Sequence, residues 1–147
     1  MLSISISSPV GNLVLEEECG ALVSIRWADK AGGNGSPLLA EAARQLDAYF
    51  AGGLTEFDLP LRPTGSEFER RVWTAMQKIP FGETASYGAL ANEIHSAPRA
   101  VGRACGKNPI PIVIPCHRVL AKTGIGGYSG SGGLKTKQAL LSLEGAL

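Results

Sequence analysis

The residue types able to do chemistry converge on Cys116 and His117, adjacent within Pro115-Cys116-His117-Arg118-Val119. A thiolate is a strong nucleophile, but a free thiol with a pKa of about 8.5 is mostly protonated at neutral pH, so a neighbour must take its proton. An imidazole is suited to that, and a carboxylate can orient the imidazole in turn. The chain holds only two histidines, His95 and His117, and only one acid after Glu93, which is Glu144. Glu144 falls at the end of the last predicted helix, where the helix dipole disfavours a negative charge. It is either a frayed terminal glutamate or an acid kept to hold a histidine, and it is the candidate orienter of His117. Taken alone, a Cys-His pair is better explained as a packed, inert thiol beside a surface histidine. The surroundings change that weighting.

Several elements must position this pair. Ile112-Val113-Ile114 reads as a short buried strand, ended by Pro115, which would leave Cys116 where the backbone exits the core. Ser66 and Glu69 have capping-box spacing, and Phe68, Val72, Ala75, Met76 and Ile79 follow at helical period. Ser86 caps a second helix, on which Tyr87, Leu90 and Ile94 share a face. Pro98 opens a third, running to about Lys107. Two short helices across a tight break resemble a helix-turn-helix. On the third helix Arg99, Arg103 and Lys107 form one basic stripe at i, i+4 and i+8, while Ala100, Gly102 and Gly106 are small. Each glycine costs a helix about 1 kcal/mol against alanine, a cost that close approach to a nucleic acid would offset. A final helix over 134–143 is expected to bury Leu134, Leu140, Leu141 and Leu143.

The N-terminal half carries no catalytic constellation. Alternation over 2–8, then 13–15 and 22–27, predicts an antiparallel meander. Pro37 opens a helix to Phe50 with Leu39, Ala42, Ala43, Leu46 and Phe50 on one side, Gly52-Gly53 stops it, and residues 54–63 read as an extended linker. The expected organisation is therefore α/β (α+β), with a strand-rich scaffold lobe over 1–63 and a helical lobe over 64–147. At 147 residues with 44% hydrophobic and 18% charged composition, the chain is expected to be globular and cytoplasmic, with no membrane span and no signal peptide. Three irregularly spaced cysteines argue against a disulfide framework and a zinc site. Net charge is +1, yet residues 1–63 hold four basic and eight acidic side chains and residues 64–147 ten and five. Seven Lys or Arg and no acid lie between Glu93 and Glu144, a balance suited to a polyanion.

The chain from about Ser66 onward resembles the 6-O-alkylguanine-DNA alkyltransferases, also called methylated-DNA–protein-cysteine methyltransferases. The resemblance rests on Pro115-Cys116-His117-Arg118-Val119 together with Phe81-Gly82-Glu83-Thr84, Ser86-Tyr87-Gly88, Arg99-Ala100-Val101-Gly102, Asn108-Pro109, Gly127-Tyr128-Ser129, Leu140-Leu141 and Glu144-Gly145, all in the family's order. It implies single-turnover transfer of an alkyl group from 6-O-alkylguanine, and to a lesser extent 4-O-alkylthymine, to the protein's own cysteine. Cys116 would accept the alkyl group. His117, through a water, would take its proton, with Glu144 in support. Tyr87 would donate to the departing guanine, and Asn108 would brace the turn before the active-site segment. Arg99 would fill the space of a base flipped from the duplex, and the third helix would enter the minor groove. Arg103, Lys107, Ala100 and Gly102 would complete the DNA surface. Val119, Tyr128, Ser129 and Pro111 would line the base pocket. The resemblance implies no cofactor, a monomer, and alkylated double-stranded DNA as partner.

Two departures stand out. The loop after Tyr128 is longer than the family's usual one, and the N-terminal lobe offers only Cys19 and no histidine, so no metal is expected. The rival readings are a binder that marks alkylated DNA without repairing it, which would lack the acceptor Cys116, and an unrelated cysteine hydrolase.

Overall fold

The computed structural model describes residues 2–30, 33–128 and 130–147. Strands β1 (Leu2–Ile6), β2 (Leu13–Glu18) and β3 (Ala21–Trp27) form an antiparallel meander in the order β1-β2-β3. Helix α1 (Pro37–Phe50) packs on this sheet, capped by the Ser36 hydroxyl, which accepts from Leu39 N–H, and started by Pro37. Its buried stripe is Leu39, Ala42, Leu46 and Tyr49.

The segment 54–63 is not a free linker. Leu61 bridges Leu22 beside β3, with hydrogen bonds from Leu22 N–H to the Pro60 carbonyl (2.8 Å) and from Arg62 N–H to the Leu22 carbonyl (2.9 Å). The backbone groups of a packed segment need partners, and the edge of β3 supplies them.

Helices α2 (Glu67–Gln77), α3 (Tyr87–Glu93) and α4 (Pro98–Gly106) then pack together. The Ser66–Glu69 capping box forms as the spacing predicts. The Ser86 hydroxyl caps α3 by accepting from Ala89 N–H. His95, at φ +57, turns the chain between α3 and α4. Short strands β4 (Ala85–Ser86) and β5 (Val119–Leu120) pair in parallel, and α5 (Leu134–Leu143) closes the chain. On α5, Leu140 and Leu141 are buried, Leu143 is half-buried, and Leu134 is 46% exposed, contrary to expectation. Leu134 is the first residue of the helix, before its apolar face meets the core. The buried positions of that first turn and a half are Thr136 and Lys137 instead.

The predicted strand at Ile112-Val113-Ile114 is a tight buried turn. Pro111 and Ile114 bridge across it, Ile114 N–H donates to the Ile110 carbonyl (2.9 Å), and Ile112 stands at φ +76. A β-branched residue at positive φ is strained. Burial of Ile110, Ile112 and Ile114 holds it there.

Candidate active site

That turn feeds a single turn of 3-10 helix, Cys116–Arg118, which carries the reactive pair. Asn108 braces the turn from both sides. Its Oδ1 accepts from Ile110 N–H (2.9 Å), and its Nδ2 donates to the Ile114 carbonyl (2.8 Å). Two of the segment's residues, Pro109 and Pro111, have no N–H to offer, so a side-chain amide replaces the missing backbone pattern.

Cys116 is 5% exposed and His117 is fully buried. Burial pushes the Cys116 thiol up, opposed by the Asn108 side chain, the Lys137 charge and the backbone N–H groups of Cys116 and His117. In the resting protein the sulfur is therefore a thiol, and it needs a base.

The candidate base, His117, is held in a network built around Glu144. His117 Nε2 lies 2.6 Å from Glu144 Oε2, and the Tyr49 hydroxyl donates to the same oxygen (2.5 Å). Arg118 Nε donates to Glu144 Oε1 (2.7 Å) and Nη2 to Oε2 (3.0 Å), while Nη1 donates to the Ile79 carbonyl (2.6 Å). Burial alone would raise the Glu144 pKa. The donated hydrogen bonds outweigh it, and the carboxyl is held at about 2. Burial also depresses His117, against the pull of Glu144. The imidazole is thus neutral, and because Nε2 faces a carboxylate it carries its proton there. Nδ1 is left as a bare acceptor, and it has no hydrogen-bond partner among the described residues. A neutral histidine with its free lone pair oriented by a carboxylate can take the proton of a neighbouring thiol.

The thiol opens on a pocket of about 280 Å³ lined by Tyr87, Gly102, Cys105, Gly106, Cys116, Gly127 and Tyr128. A larger cavity of about 740 Å³ lies between Thr55–Leu61 and Gln77–Phe81, touches Pro115 and Arg118, and does not reach Cys116. Of the residues expected in the base pocket, Tyr128 lines it. Val119 is buried and not among the lining residues, and Pro111 instead lines a neighbouring groove that Gly106 also borders. Ser129 lies outside the described residues.

The basic stripe is exposed as drawn. Arg99, Arg103 and Lys107 all face solvent, while Val101, Ala104 and Cys105 pack inward. Arg99 sits in the first turn of α4, where a cation is disfavoured by the dipole and no acid offsets it. Lys107 Nζ lies 3.6 Å from Glu69 Oε2, a long pair of small worth with the lysine exposed. A Cβ added at Gly102 or Gly106 would meet nothing within 4 Å among the described residues, so packing inside the chain does not require either glycine. Ala100 is half-buried beside Arg103 in a shallow groove between α2 and α4.

The 6-O-methylguanine DNA methyltransferase DNA-binding domain family matches residues 67–146, and the ribonuclease-like domain family of the same proteins matches residues 1–63. The methylated-DNA–protein-cysteine methyltransferase of Mycolicibacterium paratuberculosis is 49% identical over 95% of this chain and 90% of its own length. That of Mycobacterium leprae is 45% identical over the same shares. This chain belongs to the methylated-DNA–protein-cysteine methyltransferase family. Solved structures agree with that membership. The Mycobacterium tuberculosis O6-methylguanine methyltransferase superposes with a TM-score of 0.88 at 42% identity, covering 99% of this chain and 93% of that one. The M. tuberculosis OGT in complex with DNA gives 0.89 at 44%, covering 99% and 94%.

The structure adds three residues to which sequence reasoning gave no role. Arg118 was visible only as a letter in the Cys-His segment. Tyr49 continues the α1 stripe Leu39, Ala42, Leu46 at i+10, a signal its hydroxyl obscured. Lys137 lies at i−3, i−4 and i−7 from Leu140, Leu141 and Glu144, so the same stripe pointed to it. It is fully buried, and its ammonium donates to the carbonyls of Val119 (2.7 Å) and Gly127 (2.9 Å) and lies 5.8 Å from the centre of the Tyr87 ring. It therefore ties β5 to the pocket loop and places a cation near Cys116. Lys137→Met keeps the stem, removes the charge and strands two carbonyls, at about 1–3 kcal/mol each. The expected result is a lower melting temperature and a fall of roughly tenfold or more in the single-turnover rate of alkyl transfer. A native rate at native melting temperature would remove Lys137 from the site.

Proposed function

We propose that the chain repairs DNA by transferring the alkyl group of 6-O-alkylguanine to Cys116, with 4-O-alkylthymine as a lesser substrate. The observation that carries this reading is the buried Cys116 thiol, which opens on a small pocket with the Glu144-oriented imidazole of His117 next to it in the chain. His117 Nδ1 takes the thiol proton through a bridging water. The thiolate attacks the saturated α-carbon of the alkyl group, a carbon–sulfur bond forms, and the carbon–oxygen bond to guanine breaks. Tyr87, on the pocket wall, donates to the departing base. Asn108 and Lys137 hold the walls.

The DNA-facing surface is α4. Arg99 fills the stack after the base leaves it, Arg103 and Lys107 contact phosphate, and Ala100 and Gly102 let the backbone approach the minor groove. The alkyl carbon is out of reach inside a duplex, which is why the base must be flipped. Residues 1–63 serve as scaffold and residues 64–147 as the DNA-binding and transfer lobe, with Tyr49 reaching from the first to Glu144 in the second. The protein works as a cytoplasmic monomer without a cofactor. No helix among the described residues is long and apolar enough to cross a membrane.

Incubation with a duplex carrying 6-O-[methyl-labelled]methylguanine tests the reaction. Label is expected on the peptide holding Cys116, and none on Cys116→Ala, which still binds. Binding without label would point to a lesion marker, and released label with unmodified protein to a hydrolase.

A further inference from the structure

The residues that line the Cys116 pocket all follow residue 64, but one of its walls is backed from β3. Tyr128 lines the pocket, and the ring of Trp27, the last residue of β3, meets it edge-on, with centroids 6.3 Å apart at 90°. Trp27 is fixed from its own side. Its backbone pairs with Leu13 across the sheet, its Nε1 donates to the Val10 carbonyl (3.0 Å), and Ile25 N–H, two residues earlier, donates to the Pro109 carbonyl (2.9 Å). The sheet is thereby bolted to the segment that leads into the active-site turn. Gly130 is seated against the same ring. A Cβ added at Gly130 would come within 2.7 Å of Trp27 Cη2 and closer still to Tyr128. Outside this contact lies a groove of about 540 Å³ bordered by Trp27, Gly106, Pro111, Gly130 and Ser131. It is the free space into which Tyr128 and its loop would withdraw if the ring behind them were absent.

We propose that Trp27 of the N-terminal lobe is a specificity-determining positioning residue: its ring holds Tyr128 and the following loop against the pocket and so limits the size of alkyl group that Cys116 accepts. This rests on the alkyl-transfer reading above. Trp27 touches neither thiol nor base, and it acts through Tyr128. With the ring in place the pocket favours methyl. With the ring removed the wall recedes, contact with the small lesion loosens, and a bulky aralkyl group gains room.

The test uses the whole chain and two free bases, 6-O-methylguanine and 6-O-benzylguanine, so that base flipping does not enter. Single-turnover rates and half-saturating concentrations are measured for wild type, Trp27→Leu and Trp27→Phe, with melting temperatures alongside. Trp27→Leu is expected to raise the benzyl-to-methyl rate ratio about threefold to tenfold, the range an aromatic edge contact is worth. Trp27→Phe keeps a ring edge and is expected to stay near the wild-type ratio. Should Trp27→Leu fail to fold, Gly130→Ala reaches the same wall from the loop, drives the Tyr128 ring away from Trp27 and toward the pocket, and is expected to lower the ratio instead. An unchanged ratio, or equal losses on both bases, would overturn the proposal and leave Trp27 a packing residue. Wild type that alkylates Cys116 with neither base nor duplex would instead overturn the transfer reading itself.

Discussion

Glu144→Gln is expected to lower both stability and alkyl transfer, and the stability loss is expected to depend on pH. The carboxylate receives Arg118 through two nitrogens, the Tyr49 hydroxyl and His117, all at a buried site. An amide there leaves the Arg118 guanidinium buried without its counter-charge, a defect of about 3–5 kcal/mol. Chemical denaturation at pH 7 should show that loss. The sign with pH follows from the depressed carboxyl. With a folded pKa of about 2 against an ordinary 4.5, Glu144 contributes stability that is full above 4.5 and fades as pH falls toward 2. The gap between wild type and variant should therefore narrow across that window and be widest at neutral pH. Transfer suffers separately, because a glutamine can offer Nε2 either its oxygen or its NH₂ group and no longer enforces one tautomer of His117. Single-turnover transfer at pH 7, measured at a temperature where the variant is folded, should drop by on the order of tenfold or more, with lesion binding close to native. Wild-type stability and rate would mean that the buried network is ornamental. Tyr49→Phe is the milder control, since it removes one hydrogen bond to Glu144 and leaves the charges paired.

Arg99→Ala is expected to divide duplex repair from reaction with the free base. Arg99 is exposed at the start of α4, in a turn where its charge is disfavoured, next to glycines that no internal contact requires. Among the described residues those features have no structural reason, and all three fit a surface pressed against DNA. Flipping a base costs a few kcal/mol, and a side chain filling the stack offsets part of it. Losing about 1.4 kcal/mol of that offset is a tenfold loss. Repair of 6-O-methylguanine in duplex should thus fall by roughly tenfold or more, while transfer from free 6-O-benzylguanine stays within about twofold, since a free base needs no flipping. Equal losses on both substrates would assign Arg99 to the fold or the pocket instead.

Local rules were enough to place the helices. The capping box at Ser66, the Ser86 cap and the prolines at 37 and 98 each mark a helix start that the structure reproduces. The contact between His117 and Glu144 was legible as well, because a lone glutamate at a helix end needs a partner. Two things could not be read: the shape of a short apolar run, and whatever depends on distant chain. Ile112-Val113-Ile114 has the composition of a strand, and an apolar run of that length has no periodicity to say otherwise. Its turn exists because prolines at 109 and 111 remove N–H groups and Asn108 replaces them. Tyr49 reaches Glu144 across 95 residues, and Trp27 reaches Tyr128 from β3. No local pattern announces such meetings.

The most direct test of the central claim is a titration of lesion against protein. A thiolate that attacks a saturated carbon forms a thioether, which has no carbonyl for water to attack and whose sulfur leaves poorly. His117 and Glu144 can move a proton but cannot reverse that bond. Cys105, which shares the pocket, has its thiol pushed up by burial to about 12 and is a poor second acceptor. With duplex 6-O-methylguanine in excess, repair should plateau at one lesion per active chain, with the mass of one methyl group on the peptide that holds Cys116. Continued repair beyond that plateau, with Cys116 recovered unmodified, would contradict the account.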